Sequence, residues 1–283
     1  MASLDNAVIP KGSLVLVTGA NGLLGSHVAK QFLEYGYKVR GTVRDTTKFG
    51  WLVELFQKDY GKDSFELVQV DDLAAVGAFD ETVIPFAVDF AVNALQAAYK
   101  EPSVKRFIFT SSSAAAVVSS PDIPAGNITE DSWTDYIVDA AWADPPYTPE
   151  RGMATYAASK NQSEKAVWKY HKENRQKRPD LTVNTEYFID VDDAGRLHVA
   201  AAVLPKLEDQ RIFGFAERFN WDTILDIFRR HVPGRKFPDN FSGGEDGNEI
   251  IPRGKAEQLL RDLGRPGWTS LEESILANIE GLY

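Results

Sequence analysis

The stretch "LVLVTGANGLLG", residues 14–25, constrains the fold more than any other part of the chain. From Leu14 to Thr18 it is continuously apolar and rich in β-branched residues, bounded by Gly12 and Gly19, which predicts a short strand buried on both faces of a parallel sheet. Gly19, Gly22 and Gly25 follow at once, and a helical pattern runs from about Leu24 to Tyr35. Three glycines between a strand and a helix have a chemical use. They allow a tight turn, let the backbone approach a diphosphate with no Cβ in the way, and leave the helix N-terminus to offer N–H groups to the anion. Glycines alone also suit a plain turn, but this placement is the context a dinucleotide site requires.

The pattern then repeats. Lys38 to Val43 reads as a strand, Trp51 to Tyr60 as a helix, Phe65 to Val70 as a strand and Arg106 to Thr110 as another; a helix from Ala154 to Tyr170 and a strand from Leu181 to Thr185 follow. Alternation at this spacing predicts an α/β fold of Rossmann type, a doubly wound parallel sheet. Past about Arg211 the pattern is more irregular and more helical, ending in a helix from Ser270 to Ile279 whose Ser270 and Glu273 have capping-box spacing. The expected organisation is a dinucleotide-binding domain with the catalytic residues over 1–185 and a smaller, mostly helical substrate lobe over 186–283.

A net charge of −10 argues against nucleic acid as a partner, because a phosphate backbone needs a clustered positive field. The absence of cysteine removes disulfides, thiolate metal sites and a thiol nucleophile. No apolar run approaches the roughly 18 residues of a membrane span, and the start carries no leader pattern, so the cytoplasm is the expected compartment. The Asn-x-Ser/Thr triplets at Asn127 and Asn161 accordingly read as chance. The four histidines lack metal-ligand spacing and read as packing or surface residues, while Asp190, Asp192 and Asp193 read as a solvated loop.

The second strand ends in "VRGTVRD". An arginine at such an end suits the 2′-phosphate of NADP, and Arg44 stands there with Arg40 and Lys48 nearby, so NADP is favoured. Asp45 accepting from the ribose of NAD is the competing reading. Asp72, after the third strand, either accepts from the adenine amino group or caps the next helix.

"TYAASK", residues 155–160, puts Tyr156 and Lys160 on one face of a helix. An adjacent ammonium favours the anionic form of a phenol, which makes a proton donor for a carbonyl undergoing reduction. "FTSSSAAA" places Ser111, Ser112 and Ser113 at the C-terminal end of a strand, where open α/β sheets build their sites.

Together, "TGANGLLG", "YAASK", "RFIFTSSSAA" and "RLHVAA" resemble the extended short-chain dehydrogenase/reductase family, and within it the NADPH-dependent aldehyde and ketone reductases of fungi and the dihydroflavonol reductases. The resemblance implies that Tyr156 protonates the nascent alkoxide, Lys160 lowers its pKa and binds the nicotinamide ribose, and Ser112 orients the carbonyl. It implies cofactor contacts from Gly19, Asn21, Gly22, Leu23, Leu24 and Gly25, from Arg44 and Lys48, from Asp72 and Leu73, and from Tyr156 and Lys160. The expected cofactor is accordingly NADPH/NADP+, the expected substrate a small ketone or aldehyde, and the expected assembly a monomer or homodimer. A nucleotide-sugar epimerase or dehydratase using NAD and a non-catalytic NADP(H) sensor are the alternatives.

Two family segments are missing from this pattern. Residues 73–100 read as two helices separated by Pro85, with no strand between them, and the chain passes directly from Thr185 to "EYFIDVDDAGRLHVAA". The missing strand would lie beside the first strand, so its loss would leave the sheet unpaired there. The expectation is that the numbering joins separate pieces, with residues omitted near Val83–Ile84 and Thr185–Glu186.

Overall fold

Strand β1 (Leu14–Val17), helix α1 (Leu23–Glu34), strand β2 (Lys38–Val43), helix α2 (Trp51–Tyr60) and strand β3 (Phe65–Gln69) follow the predicted order with ends shifted by a residue at most. The computed structural model describes residues 6–70, 83–118, 125–144, 151–186, 189–242 and 246–281. The three strands are parallel, in the order β1-β2-β3, with Leu16 opposite Arg40 and Arg40 opposite Glu66. Alternation sends Val15, Val17, Val39 and Phe65 to one face, where they meet Phe32 of α1 and Phe56 of α2 in the main core.

The other face of this sheet is largely bare. Leu14 and Leu16 are 50% and 61% exposed, and Arg40 beside them pairs with Glu66 at 2.6 Å. The expectation that this first strand is buried on both faces is therefore wrong.

After these come α3 (Val83–Lys100), β4 (Arg106–Thr110), β5 (Asn127–Ile128), α4 (Asp135–Ala141), α5 (Arg151–Asn174), β6 (Thr182–Glu186), α6 (Val191–Val203), α7 (Trp221–His231), β7 (Glu249–Ile250), α8 (Arg253–Asp262) and α9 (Leu271–Ile279). β4 and β6 pair in parallel, Arg106 opposite Thr182, and β5 pairs with β7. Both faces of β4 are covered. Ile108 faces the main core, while Phe107 and Phe109 face a second cluster built on Leu95 of α3 and Val167 of α5. This is the doubly wound α/β arrangement expected.

The sheet is nevertheless split. Among the described residues β1 bonds only to β2 and β4 only to β6, with no strand between β1 and β4. That is the position at which the sequence lacks a strand pattern. The two halves are joined through α6, which packs on α1 on one side and on β4 and β6 on the other.

Two expectations, on Pro85 and on the acidic trio, are corrected by the structure. Pro85 does not separate two helices but sits in the first turn of α3, where the missing N–H costs nothing; the helix expected before it falls in residues 71–82, outside the described residues. Val83 and Ile84 lie at the start of α3 and Thr185 and Glu186 at the end of β6. The acidic trio is no solvated loop. Asp190 caps α6 by accepting from the N–H groups of Asp192 and Asp193, Asp192 pairs with His27 at 2.6 Å and Lys30 at 3.2 Å, and Asp193 is wholly buried against Arg196.

Among the described residues no helix is long and apolar enough to cross a membrane.

Candidate active site

The glycine turn is built as the sequence predicts. Gly19 has φ +63, a left-handed backbone that favours glycine, and a Cβ there would meet nothing within 4 Å, so it would project into open space above the turn. Gly25 is needed for the opposite reason: its Cβ would fall 2.2 Å from the Gly19 carbonyl oxygen. Gly22 is the N-cap residue of α1 and supplies no side-chain cap, and the first turn holds no acidic residue, which leaves the helix terminus positive and open to an anion. Asn21, Gly22 and Leu23 are exposed around it, and Leu24 is half-buried.

Thr42 holds this turn in place, a residue that sequence reasoning missed. Its hydroxyl accepts from Gly19 N–H at 3.2 Å and its carbonyl accepts from Ala20 N–H at 3.1 Å. The signal was the neighbouring Gly41, a glycine inside a strand, which marks a close backbone approach; a Cβ there would lie 2.6 Å from that of Ala20.

Arg44 and Lys48 are both exposed just past the end of β2. Asp45 is engaged elsewhere, because its Oδ1 accepts from the N–H groups of Thr47 and Lys48 to close the following turn. Arg40 is likewise held by Glu66 on the sheet face. Asp72 and Leu73 lie outside the described residues. Open glycine turn, uncapped helix terminus and the exposed cations Arg44 and Lys48, the latter 5.5 Å over the Phe49 ring, together fit a dinucleotide carrying a further phosphate.

At the other half of the site, α5 is fastened to the end of β4. Lys160 donates to the Thr110 carbonyl at 3.4 Å, and Glu164, one turn on, accepts from the Ser111 hydroxyl at 2.7 Å. Burial holds the Lys160 ammonium below the usual lysine pKa, with the negative Glu164 opposing it. Tyr156, one turn before Lys160, is 46% exposed although Ala157, Ala158 and Ser159 beside it are buried. Its ring therefore stands on the open side of the helix.

The serines differ in what binds them. Ser111 is locked to Glu164, whereas Ser112 accepts from Ala114 N–H at 3.2 Å as the cap of a short 3-10 turn over Ser113–Ala115, which leaves its hydroxyl proton to donate. His198 Nδ1 faces the Ala194 carbonyl at 2.8 Å and so carries the proton, and Nε2 accepts from the Thr110 hydroxyl at 2.9 Å. As expected, His198 serves packing, and so does His171, buried between Tyr99 and Asp209. Asn161 is buried too, and bonds to Asp135.

The sequence model of the NAD dependent epimerase/dehydratase family matches residues 15–178, more than half of the chain. The chain belongs to this family. It is an oxidoreductase of the extended short-chain dehydrogenase/reductase group, as its motifs implied. Aldehyde reductase 2 of Sporidiobolus salmonicolor is 35% identical over 335 residues, covering 97% of each chain. That alignment is longer than the 283 residues here, so the relative carries segments with no counterpart in this chain. Ketoreductase adrE of Penicillium rubens is 31% identical and the alignment covers 99% of both. Among solved structures, Gre2 from Candida albicans in complex with NADPH matches with a TM-score of 0.74 over 94% of this chain and 96% of that one; at 24% identity this is a likeness of fold.

Proposed function

We propose that the protein reduces ketones or aldehydes to alcohols with NADPH, and that Tyr156 is the acid, Lys160 its electrostatic partner and Ser112 the carbonyl anchor. The observation that carries this reading is the double fastening of α5 to the end of β4, through Lys160 to Thr110 and Glu164 to Ser111. It brings the helix bearing Tyr156 against the strand end bearing Ser112. The names of the aldehyde reductase and ketoreductase relatives support the same chemistry.

Bound NADPH would supply the hydride. Gly19, Gly22, Gly25 and the start of α1 would hold its diphosphate, with Asn21, Leu23 and Leu24 around it, and Arg44 and Lys48 would meet the 2′-phosphate. Ser112 would donate to the substrate oxygen, and Tyr156 would pass its phenolic proton to that oxygen as negative charge builds there. The Lys160 ammonium favours the phenolate left behind. Loss of NADPH absorbance with a panel of aryl ketones and aldehydes tests the reading; no turnover with any of them, despite cofactor binding, would contradict it.

A second reading, cofactor binding without turnover, draws on the split between β1 and β4. In that case the same assay gives binding and no oxidation of NADPH.

A further inference from the structure

Glu164 and Arg211 form an ion pair inside the protein that the proposed chemistry does not use. Glu164 is fully buried and Arg211 is 8% exposed, yet Arg211 Nε donates to Glu164 Oε1 at 2.7 Å, and Trp168 Nε1 donates to the same oxygen at 3.3 Å. The guanidinium also donates to the carbonyls of Glu130 and Ser132, at 2.6 and 2.9 Å, and lies 3.9 Å over the Trp133 ring.

A buried ion pair is weak evidence for stability, because an apolar pair of similar volume often serves as well. What distinguishes this one is where its ends lead. Through Glu164 it reaches Ser111, immediately before Ser112, from a position one helical turn after Lys160. Through Arg211 it reaches the loop at 130–132, and two residues on, Thr134 donates from its hydroxyl to the Ala114 carbonyl and from its N–H to the Ala115 carbonyl. Ser112 is thus held from both sides, by Ser111 before it and by the 3-10 turn after it.

We propose that Glu164 and Arg211 are positioning residues, a clamp that fixes Ser112 at the end of β4 against the helix carrying Tyr156 and Lys160. The inference rests on the reductase reading above for its catalytic consequence. It also assigns a role to the segment after α6, which reaches the site through Arg211 rather than only covering it.

The test compares wild type, Glu164→Gln, Ser111→Ala and the apolar double variant Glu164→Leu with Arg211→Met, each with its melting temperature, kcat, carbonyl KM and NADPH affinity. The double variant leaves no unpaired buried charge and is expected to fold. If the pair positions Ser112, kcat falls at least about tenfold in it, since small misplacements of reacting groups are costly. NADPH affinity, to which the glycine turn, Arg44 and Lys48 would supply the phosphate contacts, stays within about twofold, and Glu164→Asp with Arg211 intact recovers part of kcat. Hydrogen exchange of residues 110–116 gives a readout independent of activity: it should quicken in Glu164→Gln and in the double variant while β1 to β3 are unchanged. A folded double variant with wild-type kcat and wild-type exchange at 110–116 overturns the proposal. Tyr156→Phe separates the two ideas. If that variant loses turnover and the Glu164 variants do not, the clamp alone fails; if Tyr156→Phe keeps full turnover, the acid assignment fails and the exchange data decide the clamp.

Discussion

At the residue scale, backbone geometry leaves few substitutes for the glycines of the first turn. Gly19 has a left-handed backbone, which favours glycine, and Gly25 needs a missing Cβ, which glycine alone provides. Gly25→Ala should therefore lower NADPH affinity by tenfold or more and reduce stability by about 1–3 kcal/mol, the range for overpacking. Gly22→Ala, whose Cβ would meet the Gly19 oxygen at an ordinary 3.4 Å, should be milder; fluorescence titration with NADPH compares the two. Lys160 pays for its position in stability. Its pKa is lowered by burial, so its charge opposes folding fully below the folded-state value, and the cost fades as pH rises toward the unfolded value of 10.5. Lys160→Met should accordingly melt at or above the wild-type temperature at pH 7 while losing turnover, with the gap closing at higher pH. Glu164 and Thr42 were not legible, because their roles arise from partners 53 and 23 residues away.

At the element scale the strands and helices of the first half, and the capping box at Ser270, were readable from period and punctuation. Pro85 misled because a proline stops a helix in its interior but suits its first turn. The acidic trio misled because three carboxylates in a row look solvated until their cationic partners arrive from α1. His27 and Lys30 come from 165 and 162 residues away to meet Asp192, and Gly195 lets the helices cross closely, since a Cβ there would lie 3.0 Å from the His27 carbonyl oxygen. His27 and Lys30 hold the Asp192 carboxyl well below the usual carboxylate range. A lowered carboxylate pKa stabilises the fold above the unfolded value near 3.9 and loses that contribution as pH falls through the folded one. Asp192→Asn should cost about 1–3 kcal/mol at pH 7, and the difference from wild type should shrink below pH 4; urea unfolding at the two pH values measures it.

At the scale of the whole molecule, the alternation of elements revealed the doubly wound class, and the missing strand pattern pointed to the split between β1 and β4. It did not reveal how the halves stay together, which depends on α6 bridging α1 and β4. Nor did it reveal the bare face with Leu14 and Leu16, because a run of apolar residues looks the same whether or not a second layer covers it. The split sets the question that matters most, whether glycine turn and Tyr-Lys pair still act on one substrate. The direct measurement is NADPH oxidation by the wild-type chain and by Tyr156→Phe across a panel of ketones and aldehydes, with cofactor affinity determined in parallel. The account predicts turnover by the wild type and, in the variant, unchanged NADPH affinity with at least a hundredfold lower rate, the scale of a lost general acid. Equal rates in the two proteins, or cofactor binding with no turnover in either, would contradict it.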